Sequence, residues 1–181
     1  MKRKLVFTIL PIFLLACYIF LPDPPPEQET TPIAPSVQQE PEQIESLTLT
    51  GFTIVRLHPG DGNLQTMLAD EAQKAMSQGL MPVVEFDATW CPPCRAIDTA
   101  IKAENDLMLK AYQGTYIIKL DVDEWGWKNG KVKNFRFDGI PVYFKLDEKG
   151  KQTGEVIDGG AWNEDIPENI APVMDKFFHG N

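Results

Sequence analysis

Two cysteines separated by two prolines, Cys91-Pro92-Pro93-Cys94, form the most reactive pattern in this sequence of 181 residues, and Trp90 precedes them. Thiols at this spacing can bind a metal together with further ligands, form a short structural disulfide, or exchange electrons by cycling between a dithiol and a disulfide. The rest of the chain helps to choose among these three kinds of chemistry.

Other candidate ligands for a metal are few and distant. The chain has three cysteines and two histidines; Cys17 lies in an N-terminal apolar run, and His58 and His179 are far from the pair in sequence. A four-ligand zinc site is therefore disfavoured. A purely structural disulfide is disfavoured as well, because a disulfide across two residues closes a very small loop and so stabilises the fold little. Redox chemistry is the favoured interpretation, while Cu(I) binding by two soft thiolates stays open.

The N-terminus predicts export from the cytoplasm. Lys2-Arg3-Lys4 precedes an apolar run, Leu5–Leu21, which is typical of a signal sequence or a membrane anchor. The segment Leu14–Cys17 also resembles a bacterial lipoprotein cleavage box in which Cys17 would be lipidated, although the residues after it are unusually apolar. An uncleaved anchor, a lipoprotein signal and a cleaved signal all stay open. Each places the rest of the chain outside the cytoplasm, because positive charge stays inside.

Composition then divides the chain into three parts. Residues 1–21 are the predicted signal or anchor. Residues 22–46 are rich in Pro, Glu and Gln and contain no basic residue, so we predict a disordered linker that holds a domain off a membrane. Residues 47–181 form the predicted domain. The net charge of −9 disfavours nucleic acid as a partner, because an acidic surface repels phosphate backbones, and solubility is the plainer explanation of the charge.

Patterns of apolar residues predict the elements that position the cysteine pair. A β-branched and aromatic run predicts a buried strand just before the pair, and the two prolines suit the first turn of a helix. Spacing and length of the apolar runs predict the other elements. The predicted strands are 81–88, 115–122, 142–146 and 153–157. The predicted helices are 64–79, one from 92 that is interrupted at 105–106, a shorter one through 112, and a C-terminal helix within 163–180.

The order of these elements predicts an α/β fold, with a mixed β-sheet covered by helices on both sides. The last two strands predict an antiparallel hairpin with a turn at 148–151. Residues 123–137 predict a helix packed by Trp125 and Phe135, in preference to an aromatic and basic docking surface. Residues 47–63 predict an extra strand or arm whose place the pattern does not give.

Three separated motifs resemble the thioredoxin superfamily. FDATWCPPCR at 86–95 resembles its active-site signature, IIKLDVDE at 117–124 its third strand, and FDGIPVYFKLDEKGK at 137–151 its Ile-Pro loop and hairpin. The similarity spans residues 64 to 178 in the right order and implies a thioredoxin fold. Within the superfamily, WCPPC after an export signal and a tether resembles the membrane-tethered thioredoxin-like proteins of the bacterial envelope.

The resemblance implies a role for each cysteine. Cys91, at the point where a strand gives way to a helix, would attack a substrate disulfide, because a helix N-terminus stabilises a thiolate. Cys94, one turn deeper on the same face, would attack the sulfur of Cys91 and release the substrate. Pro92 and Pro93 offer no donor and no charge between the cysteines. That favours a reductase or an isomerase over a strong oxidant, which often carries a histidine there.

The resemblance also implies a proton acceptor behind the pair. Glu85 matches a buried carboxyl that takes the proton of the resolving thiol, with an exposed strand carboxylate as the alternative. Lys119 matches the lysine beside that carboxyl and would hold Glu85 in its charged form, with a solvated strand lysine as the alternative. Asp87 departs from the family, which has a large aromatic residue there. It shares a strand face with Glu85 and would either raise the pKa values of the cysteines or reach solvent.

Three further residues match the family's substrate-binding surface. Pro141 matches a cis-proline that faces the disulfide, and it would leave the backbone of Ile140 free to pair with a substrate strand. Trp90 would shield the sulfurs and offer an apolar contact, with ordinary core packing as the alternative. Together with Pro92 and Pro93, these residues are the predicted substrate contacts.

The sequence therefore predicts an extracytoplasmic thiol–disulfide oxidoreductase, acting as a reductase of protein disulfides through a disulfide between Cys91 and Cys94. We expect a membrane-anchored monomer of the bacterial cell envelope that needs no bound cofactor or metal and takes its electrons from a membrane thiol carrier. Two alternatives stay open, a non-catalytic binding module with the same fold and a Cu(I)-handling protein that uses the same two cysteines.

Overall fold

The computed structural model describes residues 46–49 and 51–180. The predicted signal or anchor, with Cys17, and the linker up to residue 45 lie outside the described residues. Within the part that is described, no helix is both long enough and apolar enough to cross a membrane.

A six-stranded mixed sheet forms the centre of the domain. Its strands are β1 Ser46–Leu49, β2 Phe52–Arg56, β3 Met81–Asp87, β4 Thr115–Asp121, β7 Val142–Leu146 and β8 Gln152–Asp158; a separate two-stranded sheet contains β5 Lys131–Val132 and β6 Phe135–Arg136. The spatial order in the large sheet is β1-β2-β4-β3-β7-β8. Strand β4 pairs in parallel with both β2 and β3, and every other pairing in this sheet is antiparallel. This arrangement confirms the predicted thioredoxin fold.

Local signals in the sequence begin the helices where the structure has them. The side-chain oxygens of Asn63 and Asn105 accept backbone N–H bonds at the starts of α1 and α3. Cys91 is the N-cap of α2, and Pro92 and Pro93 fill its first turn, where a missing N–H costs little. The five helices are α1 Leu64–Ser77, α2 Pro92–Lys102, α3 Asp106–Tyr112, α4 Val122–Trp125 and α5 Pro167–His179.

The sheet separates two apolar cores, because alternate side chains of a strand point to opposite faces. Val84 and Phe86 of β3 pack in the core that contains Leu68 of α1. Val83 packs in the other core, with side chains such as Ile97 of α2 and others from α3 and α5. The predicted coverage of the sheet by helices on both sides is confirmed.

Residues 123–137 do not form the predicted helix. Helix α4 ends at Trp125, and Gly126 follows with a φ of 70°, in the left-handed region. The chain then makes the small sheet of β5 and β6, and Trp127 stacks on Phe137 with ring centroids 5.3 Å apart. Glycines and a turn therefore replace helical hydrogen bonding in this segment.

The segment 47–63 has a definite place in the sheet. Strand β2 pairs in parallel with β4, so that Arg56 lies opposite Lys119, and β1 pairs antiparallel with β2. Strand β2 therefore places a partly buried cation beside β4, the neighbour of the strand that precedes the cysteines.

Candidate active site

Cys91 and Cys94 form a disulfide at the start of α2. Their sulfurs are 2.04 Å apart and their Cα atoms 5.3 Å apart, and each residue is about 1% exposed. The backbone N–H of Cys94 donates to the sulfur of Cys91 at 3.3 Å. Free N–H groups and the dipole of the helix N-terminus both favour negative charge on that sulfur. Once the disulfide is reduced, Cys91 is thus the better placed of the two to act as a thiolate nucleophile.

The loop before β7 faces the sulfur of Cys91. The peptide bond between Ile140 and Pro141 is cis, as the resemblance implies, and Pro141 is buried. The carbonyl oxygen of Ile140 lies 3.6 Å from the sulfur of Cys91. The backbone of this loop is therefore within reach of any chain that is joined to Cys91.

Trp90 and the prolines present a surface beside the disulfide. The Trp90 side chain is 54% exposed, so core packing is the wrong alternative for it, and its indole N–H donates to Asp123 of α4 at 2.7 Å. Pro92 is exposed and Pro93 half-buried. The hydrogen bond fixes the orientation of the indole ring, which makes Trp90 an ordered apolar surface next to buried sulfurs.

Glu85 is buried in the middle of β3, with 1% of its surface exposed, so the alternative of an exposed strand carboxylate is wrong. Its cross-strand neighbours are Lys119 on β4 and Tyr143 on β7. Burial raises the pKa of Glu85 to about 7, and the charge of Lys119 opposes this shift without cancelling it. Its carboxyl group can therefore be either protonated or ionised near neutral pH.

Lys119 contacts three carboxylates at once. Its Nζ atom lies 2.5 Å from Asp98 on α2, 3.0 Å from Asp87 and 3.2 Å from Glu85. Burial lowers the pKa of Lys119, but the three carboxylates together raise it above its ordinary value. Lys119 is thus a permanent cation that Glu85 shares with two other groups.

Asp87 does not reach solvent, which corrects one of the two expectations for it. It is 2% exposed, and Arg56 donates to its two oxygens at 2.9 and 2.6 Å. Burial raises the pKa of Asp87, but the hydrogen bonds of Arg56 and the charge of Lys119 outweigh burial and lower it. Asp87 is therefore an ionised and paired carboxylate in the interior.

The sequence reasoning missed two members of this group, Arg56 and Asp98. Arg56 follows the mostly apolar stretch Phe52–Val55, and a single cation at the end of a largely buried strand indicates that a charged partner lies nearby. Asp98 lies one turn after Cys94 on α2, with its side chain 34% exposed. Both residues contact groups that adjoin Glu85.

Comparisons with known proteins give consistent findings. The family model described as Thioredoxin matches residues 64–172. Thioredoxin H4 from Arabidopsis thaliana is 32% identical over 102 residues, which cover 55% of this chain and 76% of that protein. The Thioredoxin-like protein HCF164, chloroplastic, from Oryza sativa subsp. japonica is 30% identical over 109 residues, or 59% of this chain and 40% of that protein.

The crystal structure of thioredoxin O1 from Arabidopsis thaliana in the oxidised state has 23% sequence identity and a TM-score of 0.36, and the match covers 59% of this chain and 85% of that chain.

Proposed function

This chain belongs to the thioredoxin family, and from that premise we propose that it is an extracytoplasmic thiol–disulfide oxidoreductase that reduces protein disulfides. The observation that carries the proposal is the buried disulfide at the start of α2, with Cys91 as the N-cap and the loop of Ile140 against its sulfur. A nucleophile, a resolving thiol and the backbone of a loop thus meet at one place in the fold.

Reduction of a substrate proceeds in two exchanges. The Cys91 thiolate attacks one sulfur of the substrate disulfide, so that a mixed disulfide forms and the other substrate sulfur leaves as a thiolate. Cys94 then loses its proton and attacks the sulfur of Cys91, the mixed disulfide breaks, and the second substrate sulfur leaves. The substrate has gained two electrons, and this chain is left with the disulfide that the structure contains.

Glu85 is the group that takes the proton of Cys94 in the second exchange. The carboxyl must be ionised to accept the proton and protonated afterwards, and its pKa of about 7 makes both forms accessible near neutral pH. Trp90 and the cis peptide bond before Pro141 border the position of the substrate chain.

Features of the sequence support the proposed direction and compartment of the reaction. Neither Pro92 nor Pro93 can donate a hydrogen bond to stabilise the reduced form specifically, which supports reduction over strong oxidation. The cationic and apolar N-terminus supports a membrane-tethered location outside the cytoplasm of a bacterium. A thiol carrier in the membrane then supplies the two electrons that regenerate the dithiol, and the chain acts as a monomer without a bound cofactor.

Replacement of the cysteines tests the proposed reaction. We expect the unchanged full-length protein, supplied with dithiothreitol, to reduce insulin disulfides well above the uncatalysed rate. Cys91→Ser should abolish this activity. Cys94→Ser should instead accumulate mixed disulfides with substrates, which non-reducing gels reveal, because the resolving thiol is missing.

Three outcomes would contradict the proposal. Insulin reduction that survives in Cys91→Ser would rule out Cys91 as the nucleophile. Absence of activity in the unchanged protein, together with dispensable cysteines in the cell, would favour a binding module. Faster oxidation of a reduced dithiol peptide than reduction of insulin would reverse the proposed direction.

A further inference from the structure

Five charged side chains, three of them buried, meet between β2, β3, β4 and α2. Arg56 donates two hydrogen bonds to Asp87, at 2.9 and 2.6 Å. Lys119 donates to Asp98 at 2.5 Å and lies 3.0 Å from Asp87 and 3.2 Å from Glu85. We call these five residues the charge cluster; Glu85, Asp87 and Lys119 in it are buried.

The charges of the cluster balance only when one carboxyl holds a proton. Two cations, Arg56 and Lys119, face three carboxyl groups, so the sum is −1 with all of them ionised. Both oxygens of Asp87 are bonded to Arg56, and Asp98 has the shortest contact with Lys119. Glu85 has the longest of the three contacts with Lys119: its Oε1 atom lies 3.2 Å from Nζ, and within the described residues that atom accepts no hydrogen bond of good geometry.

The other groups that face Glu85 add no charge. Tyr143, its cross-strand neighbour on β7, and Tyr112 of α3 share a buried hydrogen bond between their hydroxyls at 3.1 Å. Burial raises the pKa of Tyr112 and of Tyr143, so both are neutral. Burial is the largest influence on the pKa of Glu85, and the charge that can oppose it depends on how Lys119 is divided among the three carboxylates.

We propose that Arg56 and Asp87 are positioning residues of the redox reaction, which hold Lys119 partly away from Glu85 and so allow Glu85 to carry a proton while the cysteines are oxidised. This inference rests on the proposed function, in which the proton comes from Cys94. When Cys94 attacks the sulfur of Cys91, its proton passes to Glu85, and the charge cluster becomes electroneutral as the disulfide forms. The reverse transfer returns the proton to Cys94 when the disulfide is reduced.

Arg56 is necessary for this division of Lys119. Asp87 without Arg56 would be a buried carboxylate with Lys119 as its remaining cation, and its charge would act directly on Glu85. Arg56 neutralises Asp87 and leaves it able to contact Lys119. Strand β2 has Arg56 as its last residue, which gives the segment before α1 a role in the chemistry.

Titration of Glu85 in charge variants tests the inference. Carbon-13 labelling of glutamate allows the Glu85 carboxyl to be followed by nuclear magnetic resonance in the oxidised, full-length protein. In Asp87→Asn, one negative charge is lost and Lys119 is free to move closer to Glu85. The titration midpoint of the Glu85 carboxyl should therefore fall by about one pH unit or more. In Arg56→Gln, the charge of Asp87 is no longer neutralised, so the midpoint should rise by a similar amount.

The opposite signs are the decisive feature of this experiment. A general loosening of the structure would admit water in both variants and move both midpoints down, toward the value of an exposed carboxyl. Shifts of the same sign, or shifts no larger than in the control Lys74→Gln, would overturn the inference. Lys74 is a suitable control because it is half-exposed and pairs with Glu71 on α1, outside the charge cluster.

A further variant keeps the test decisive if Asp87→Asn does not fold. Asp98 also holds Lys119, and its side chain is 34% exposed, so Asp98→Asn is expected to fold and to lower the midpoint of Glu85. An unchanged midpoint in this variant would overturn the inference.

Insulin reduction by the unchanged protein is measured alongside, to separate this inference from the proposed function. If it is absent while the midpoints move as stated, the proposed function falls and the division of Lys119 stands.

Discussion

Two backbone groups act on the sulfur of Cys91 in opposite directions. The N–H of Cys94 lies 3.3 Å away and favours a negative sulfur, whereas the carbonyl oxygen of Ile140 lies 3.6 Å away and favours a protonated one. The N–H contact is the shorter, and the dipole of α2 adds to it. We therefore expect the thiolate to prevail after reduction, so that the nucleophile is ready before a substrate binds.

The acceptor role of Glu85 predicts a specific kinetic defect. Glu85→Gln keeps the size of the side chain but removes its ability to accept a proton, so release of the mixed disulfide should slow about 100-fold. In the unchanged protein this step should accelerate as the pH rises through about 7, because the ionised carboxyl is the acceptor. The variant should lose that rise. Rapid mixing of reduced protein with a disulfide peptide measures the lifetime of the mixed disulfide.

A matched variant separates this role from a general effect of charge. Glu155→Gln removes a carboxylate that is 59% exposed and pairs with Lys145 on β7. It should leave the lifetime and its pH dependence unchanged. An equal lifetime for the mixed disulfide in Glu85→Gln and in the unchanged protein would exclude Glu85 as the acceptor.

At the scale of elements, local signals made the centre of the fold predictable. The strand Met81–Asp87, the prolines that begin α2 and the cap at Asn105 each depend on residues that are close in sequence. The pairing of β2 with β4 depends on contacts about sixty residues apart, so no local pattern indicates it. The bond of Arg56 to Asp87 follows from that pairing, which is why the place of Arg56 in the charge cluster was not predicted.

The hairpin after α4 was predictable from a signal that the helical interpretation overlooked. Asn129 and Gly130 have φ values of 55° and 69°, and Lys128 and Lys131 pair across them. Asn-Gly is the preferred pair for a tight hairpin turn in which both central residues are left-handed. The aromatic residues of 123–137 suggested a helix, but this dipeptide and Gly126 stop one.

The turn of the β7–β8 hairpin packs against α1, which makes one glycine critical. Gly150 has a φ of 67°, and a Cβ atom there would lie 2.4 Å from the backbone carbon of Leu68. Gly79 has a φ of 71°, but a Cβ atom there would meet no atom within 4 Å. Gly79→Ala should cost about 1 kcal/mol of unfolding free energy for the backbone conformation alone. Gly150→Ala should cost about 1–3 kcal/mol more because helix and hairpin must separate.

Urea denaturation of the two alanine variants measures this difference directly. The comparison is matched, because both substitutions place alanine at a left-handed position and differ in the steric contact. Equal losses of stability would show that the hairpin can move off α1 without cost, contrary to the tight contact in the structure.

At the scale of the whole molecule, the charge cluster links the redox site to the stability of the fold. Glu85 titrates with a pKa of 4.5 when it is exposed, as in the unfolded chain, and burial raises this value to about 7 in the folded protein. Below pH 4.5 the carboxyl is protonated in both states. Between pH 4.5 and 7 the unfolded chain releases the proton and the folded protein keeps it, so the stability falls as the pH rises, by about 3 kcal/mol in all.

Asp87 acts in another pH range and with the opposite sign. The pKa of Asp87 is 3.8 in the unfolded chain and is lower in the folded protein. Asp87 therefore contributes to stability above pH 3.8, and this contribution is lost as the pH falls through the pKa of the folded protein.

Urea unfolding of the oxidised protein at pH 4.5 and pH 8 therefore isolates the contribution of Glu85 to stability. The unchanged protein should lose stability relative to Glu85→Gln across this interval, by about 3 kcal/mol. A constant difference between the two proteins would mean that Glu85 is ionised in the fold throughout, and that the cysteines exchange their proton with another group.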